Sequence, residues 1–197
     1  MPANNIFKVA ITGNIGSGKS SFCQYLQELR EEVISADEVA NEILMEEKLR
    51  WAARWGSRAF SGGQIDRRKI AEIVFEDQRE LRFLNSILHP QVMLRFSRLA
   101  LQSTRKLLFF EIPLLFEAKL ESHFDYLVLV TAKKSLVLQR LNKRNPGQMK
   151  NLRLRLARQI PDSDKSARVD HVIYNNKDLA ALKLQAIALL HSLQNTD

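Results

Sequence analysis

Eight consecutive residues, Gly13-Asn14-Ile15-Gly16-Ser17-Gly18-Lys19-Ser20, match the pattern G-x-x-x-x-G-K-[ST] at every fixed position. The residue types and their spacing describe a phosphate cradle. Glycines let the backbone take left-handed angles and approach an anion closely. Successive N–H groups then converge on the phosphate, and the N-terminus of the following helix adds its positive end. In such a loop Lys19 reaches the β- and γ-phosphates and the Ser20 hydroxyl ligates Mg²⁺. The expected ATP contacts are Asn14, Ile15, Gly16, Ser17, Gly18, Lys19, Ser20 and Ser21. A nucleoside triphosphate is the ligand this chemistry calls for.

A loop of this kind works only between a strand and a helix, and the flanking residues supply both. Phe7 to Thr12 (FKVAIT) reads as a buried strand, and Lys19 to Arg30 as a helix with Phe22, Leu26 and Leu29 on one face. Glu32 to Ser35 is a short strand. The apolar runs Lys106 to Ile112 and Tyr126 to Thr131 have strand length, and Val172 to Tyr174 forms a last strand. Continuous apolar strands fit a parallel sheet covered on both faces. Helical patterns cover Ala36 to Trp55, Arg68 to Phe75, Arg79 to Thr104, Ser135 to Arg144, Met149 to Gln159 and Leu179 to Leu193. Pro90 is expected to kink or divide the third of these. Ser57 to Arg67, with Gly62-Gly63, reads as a loop. Strand and helix alternate, with extra helices inserted after the second strand. The fold class is α/β, an open parallel sheet of about five strands flanked by helices.

Composition narrows the rest. With 197 residues, 45% hydrophobic and 26% charged, the chain has the balance of a globular protein and the length of one domain, 1–197. One cysteine, Cys23, excludes a disulfide framework and any multi-cysteine zinc site. The longest apolar stretch, Leu107 to Phe116, is interrupted by Glu111 and Pro113, so no membrane span is expected. No secretory pattern opens the chain, and a reducing cytoplasm is the expected setting. Thirty Lys+Arg against 22 Asp+Glu give a net charge of +8, densest from Lys133 to Arg158. That excess attracts phosphorylated partners. No nucleic-acid module accompanies it, so neither nucleic acid nor membrane is an expected partner. A guanine-reading N-K-x-D is missing, because Asn176-Lys177-Asp178 has its aspartate one residue early. A compact kinase with a lid is what remains.

From Ile11 onward the chain resembles the dephospho-CoA kinase family. The resemblance rests on ITGNIGSGKS (Ile11–Ser20), VISADEVA (Val33–Ala40), IDRRKIAEIVF (Ile65–Phe75), LHP (Leu88–Pro90) and EIPLLFE (Glu111–Glu117). LQRLNKRN (Leu138–Asn145) and VDHVIYNN (Val169–Asn176) complete it. It implies a P-loop kinase fold with a helical substrate-binding region at about 38–104 and a lid at about 140–165. It also implies transfer of the γ-phosphoryl of ATP, with Mg²⁺, to the ribose 3′-hydroxyl of dephospho-coenzyme A.

Carried over residue by residue, Asp37 is the catalytic carboxylate that accepts the hydroxyl proton; its competing role is to cap the next helix. Ser35 stands where the family has a first aspartate. Glu111, at the end of an apolar strand, either holds Mg²⁺ through water or forms an internal salt bridge. Arg140 and Arg144, four apart on one helical face, would close over the phosphates as catalytic cations, with Arg155 joining them. Asn145 stands where an aspartate is usual. Asn175 and its turn would contact adenine. His89, Leu114 and Glu117, with Asp37, are the implied substrate contacts. For His89 the alternative is packing at a helix kink, for Leu114 a core stripe with Phe109, Phe110, Leu115 and Phe116, and for Glu117 a surface charge. Cys23, Trp51 and Trp55 read as core. Two other functions stay open on the residues alone, a kinase for a nucleoside monophosphate or sugar acid and a nucleotide-dependent switch.

Overall fold

The computed structural model describes residues 6–144, 146–147 and 149–195, and for Lys150, Asn151 and Arg155 the backbone alone. The expectations for Asn145 and for the Arg155 side chain therefore lie outside the described residues. In chain order the elements begin with β1 (Phe7–Thr12), α1 (Lys19–Glu28), β2 (Val33–Ser35), α2 (Ala36–Glu46) and α3 (Lys48–Trp55). There follow β3 (Phe60–Ser61), β4 (Gln64–Ile65), α4 (Arg67–Glu76), α5 (Gln78–Gln102), β5 (Leu107–Glu111) and β6 (Tyr126–Thr131). The chain continues through α6 (Lys134–Arg144), α7 (Met149–Ala157), α8 (Asp162–Ser166), β7 (His171–Tyr174) and α9 (Leu179–Gln194). Two compact units result, one of residues 1–35 with 104–197 and one of residues 36–103. No described helix is long and apolar enough to cross a membrane.

The first unit is built on a five-stranded sheet in the order β2-β5-β1-β6-β7. Every pairing in it is parallel. Its inner strands are the apolar runs of the sequence: Val9 to Ile11, Leu108 to Phe110 and Val128 to Val130 are fully buried. On one face Phe22, Cys23 and Leu26 of α1 meet Leu182, Ala186, Leu189 and Leu190 of α9 over Val9, Ile11, Phe109, Val128 and Val130. Each large apolar side chain buried there contributes roughly 1.5–3 kcal/mol. β1 is the middle strand, so the loop that follows it leaves from the stiffest part of the sheet. The register sets Ile11 beside Glu111, and Glu111 beside Ser35, at the carboxyl ends where open α/β sheets bind ligands.

The second unit is helical around a tryptophan core. Trp51 and Trp55 stack with ring centroids 5.3 Å apart, and Phe83 meets both edge-on. Their indole N–H groups are satisfied, Trp51 donating to the Leu44 carbonyl and Trp55 to Glu80 Oε2, each at 2.7 Å. The helical pattern from Ala36 to Trp55 breaks at Glu47 into α2 and α3, where the Leu44 carbonyl becomes the Trp51 acceptor. Ser57 to Arg67 is more than a loop. Gly62 and Gly63, with φ of 54° and 75°, turn a small hairpin in which Phe60 pairs with Ile65. Asp66 then caps α4, accepting from Arg68 N at 2.9 Å and Lys69 N at 3.3 Å. The Ser61 hydroxyl bond, followed by these backbone bonds, holds the Asp66 carboxyl below its ordinary range. Pro90 does not divide α5, which runs unbroken from Gln78 to Gln102. One lost N–H is tolerated in a helix anchored on both sides of it by Leu84, Ile87, Val92 and Phe96.

Candidate active site

The phosphate loop begins where β1 ends. Gly16 and Gly18 have φ of 81° and 96°, which a side chain would strain. The space around them is also closed. A Cβ on Gly13 would collide with the Val130 carbonyl oxygen, one on Gly18 with Asn175 Nδ2, and one on Gly16 would lie 3.0 Å from Leu141 and Val137. Ser17 N donates to the Asn14 carbonyl at 3.0 Å, closing the turn. No side chain caps α1 at Gly18, so its first N–H groups are oriented for an anion. The Ser17 hydroxyl is buried without a protein partner. A cradle closed to side chains, with an unpaired hydroxyl in it, fits a phosphate.

Lys19, Ser20 and Glu111 meet at one oxygen. Lys19 Nζ donates to Glu111 Oε1 in an ion pair, and Ser20 Oγ donates to the same oxygen at 3.1 Å. The internal salt bridge expected as one reading of Glu111 is therefore made with the loop lysine itself. Next along α1, Cys23 is buried; burial first, then the Glu111 charge, push its thiol far above the ordinary range, against an opposing effect of Lys19. Among the described residues no three His, Cys, Asp or Glu side chains gather to hold a metal. Ser20 and Glu111 nevertheless provide two hard oxygen donors. That sparse set suits Mg²⁺, which takes one or two protein oxygens and fills its shell from phosphate and water.

Arg140 and Arg144 separate in the structure. Arg140, on α6, donates to the Asn175 carbonyl at 3.0 Å and its side-chain oxygen at 3.3 Å, and reaches the Ser17 carbonyl at 3.4 Å. Arg144 is exposed at the helix end. Asn175 is buried. Its Nδ2 donates to the Ser17 carbonyl at 2.8 Å and its backbone N–H to the Thr131 carbonyl at 2.8 Å. The carboxamide expected at adenine is thus already engaged in fixing the back of the loop against Arg140.

The front of the loop is held by Glu117, read in the sequence as a substrate contact or a surface charge, and by Gln159, Ile160 and Lys165, which sequence reasoning passed over. Asn14 Nδ2 donates to the Ile160 carbonyl at 3.1 Å, and Asn14 Oδ1 accepts from Lys165 Nζ at 2.8 Å. Lys165 is wholly buried and pairs with Glu117 Oε1 at 3.0 Å. Ile160 N donates to that same oxygen at 2.9 Å, and Ile15 N donates to Gln159 Oε1 at 3.0 Å. Glu117 is therefore an internal acid and not a surface charge. Leu114 departs from the expected core stripe: it is half exposed, whereas Phe109, Phe110, Leu115 and Phe116 are buried.

Asp37 and His89 belong to the unit of residues 36–103. Asp37 is exposed in the first turn of α2, where a carboxylate is favoured by the helix dipole. His89 is partly buried on α5, and burial holds its imidazole below the ordinary range.

Comparison with known proteins follows the same lines. The family model described as dephospho-CoA kinase matches residues 7–181. A dephospho-CoA kinase of Geobacillus kaustophilus is 35% identical over 189 residues, covering 92% of this chain and 94% of that one. Among solved structures, TT1252 from Thermus thermophilus superposes with a TM-score of 0.87 at 29% identity, covering 96% of this chain and 98% of that one. A dephospho-CoA kinase from Campylobacter jejuni superposes with a TM-score of 0.73 at 25% identity, covering 94% and 96%. With the loop, the sheet and nearly the whole length in agreement, the chain belongs to the dephospho-CoA kinase family.

Proposed function

We propose that this chain transfers the γ-phosphoryl group of ATP to the ribose 3′-hydroxyl of dephospho-coenzyme A, giving coenzyme A and ADP, the last step of coenzyme A synthesis. The observation that carries the proposal is the family match over residues 7–181, in a chain whose Lys19 and Ser20 converge on Glu111 beside the loop. In this reading Lys19 exchanges the Glu111 carboxylate for the β- and γ-phosphates, and the loop N–H groups hold the anion in place. Ser20 and Glu111 are the residues that would hold Mg²⁺, which, when bound, neutralises phosphate charge. Asp37 orients the 3′-hydroxyl and accepts its proton. Phosphoryl transfer through a loose transition state asks for orientation more than for a strong base, so an exposed carboxylate suffices.

Arg140 is the loop-side cation, and the exposed Arg144 belongs to the part of the lid, at about 140–165, that would close over the phosphates. The turn after Asn175 is the proposed adenine contact, because the polar groups of Asn175 itself are engaged. Residues 38–104 bind the acceptor, with His89 and, from the turn after β5, the half-exposed Leu114 as contacts.

The test is ADP release from Mg·ATP by purified protein, with and without dephospho-coenzyme A, with the product identified by mass. AMP, CMP, shikimate and gluconate run in parallel. Stimulation by dephospho-coenzyme A alone, with coenzyme A as product, is the expected result. Stimulation only by another acceptor would keep the kinase and discard the named substrate.

A further inference from the structure

We infer that Lys165 is a positioning residue for the phosphate loop, acting through Asn14. The inference rests on the reading that the loop receives the phosphates of ATP. Lys165 has no exposed surface, and an ammonium so placed is retained only if its charge and its protons are matched. Two partners contribute to that. Glu117 supplies the opposite charge at 3.0 Å, and Asn14 Oδ1 accepts at 2.8 Å.

Beyond the carboxylate the ammonium needs further acceptors, and the one it finds is a loop residue. The motif leaves the position after its first glycine free, yet here that position carries a carboxamide used at both ends. Its oxygen takes the Lys165 proton, and its nitrogen donates to the Ile160 carbonyl at 3.1 Å. Ile160 N returns to Glu117 at 2.9 Å, so Lys165, Asn14, Ile160 and Glu117 form a closed ring. The Asn14 carbonyl in turn accepts from Ser17 N. The ring therefore fixes the residue from which the loop turns. Gln159, beside the ring, holds the next loop amide, Ile15 N, at 3.0 Å. The shape that the phosphates meet is thus set by protein groups before any nucleotide arrives, which is the condition for electrostatic stabilisation without reorganisation.

Asn14→Ala is the informative variant, because it leaves the Lys165–Glu117 pair intact and cuts its tie to the loop. Affinity for Mg·ATP is measured by calorimetry without acceptor, and kcat and both KM values are measured with dephospho-coenzyme A. The loss of a hydrogen bond to a charged group predicts about tenfold weaker ATP binding and a matching rise in the KM for ATP. The KM for dephospho-coenzyme A should stay within about twofold of wild type, while the melting temperature falls by a few degrees because the buried ammonium loses an acceptor. Lys165→Met should weaken ATP binding at least as much. ATP affinity and kcat unchanged in Asn14→Ala would overturn the inference and leave Lys165 as a core ion pair. A fall in kcat that only tracks the folded fraction, with ATP affinity intact, would do the same. Because ATP binding is read without acceptor, a wild type that makes no coenzyme A would sink the proposed function and leave this test standing.

Discussion

Two lysine–glutamate pairs flank the phosphate loop, and they are built for different tasks. Lys19 and Glu111 both keep some exposure, 10% and 16% at the side chain, and Ser20 shares the same carboxylate oxygen. Lys165 has none, its Glu117 partner has 17%, and the remaining bonds of that pair go to Asn14 and to backbone. The first pair stands at the mouth of the loop, where an arriving phosphate can replace the carboxylate. In the second the lysine is wholly enclosed, and its bonds go to Glu117 and Asn14. A buried ion pair is weak evidence for stability by itself. Placed so that it can be opened it serves chemistry, and anchored through a wholly buried lysine it serves geometry.

The sharpest way to break the comparison is at the first pair. Lys19→Ala should lower kcat/KM by about 100–1000-fold, as expected on removing a transition-state charge stabiliser, while the melting temperature barely moves. Asp37→Asn, outside both pairs, should lose a similar share of turnover and keep its affinity for ATP; near-normal turnover would remove Asp37 from the mechanism. The second pair should show the reverse balance. Lys165→Met leaves Glu117 with an unpaired charge, at a cost of about 3 kcal/mol measured by urea unfolding. Adding Glu117→Gln to Lys165→Met should restore most of that stability without restoring ATP affinity. If both returned together, the distinction between the two pairs would fail. Asn175→Ala, which frees the back of the loop, should weaken ATP binding by about fivefold to tenfold.

The smallest effect is a background that both pairs share. Burial lowers the imidazoles of His89 and His171, so the unfolded chain binds protons more readily than the folded one. Their contribution to stability is present above about pH 6.5, the ordinary histidine value, and is lost as pH falls below it. Melting curves at pH 7.5 and 5.0 should converge in His89→Gln relative to wild type; an unchanged gap would show that His89 is not a source of it.

Much of this architecture is legible in the sequence because it is written in local terms. The spacing of Gly13, Gly18, Lys19 and Ser20 announces the loop, and the apolar runs ending at Glu111 and Thr131 announce the strands that flank it. Tyr126–Thr131 was placed to the residue. What escaped is tertiary. The stretch DSDKSAR around Lys165 is polar at six of its seven positions, and nothing local says that its lysine is the buried one. Glu117 was open between substrate contact and surface charge for the same reason. The only sequence signal was an asparagine at a free motif position. Asn175 reads as an adenine contact, and its engagement by Ser17 and Arg140 depends on residues 158 and 35 positions away. The Gly62-Gly63 hairpin was missed because two-residue strands leave no periodicity to read.

The parallel sheet has a consequence for the order in which this protein can be made. The loop is translated first, but the acid that pairs with Lys19 follows it by 92 residues and the lysine that holds Asn14 by 151. At about 5–20 residues per second the ribosome needs on the order of 10 s to supply the second of these. β1 stays without either sheet neighbour until β5 and then β6 emerge. Residues 36–103, whose tryptophan core is assembled from one uninterrupted stretch, have all they need well before that. A nascent chain therefore carries its best-marked motif through the synthesis of 151 residues beyond Asn14 before the groups that shape it exist.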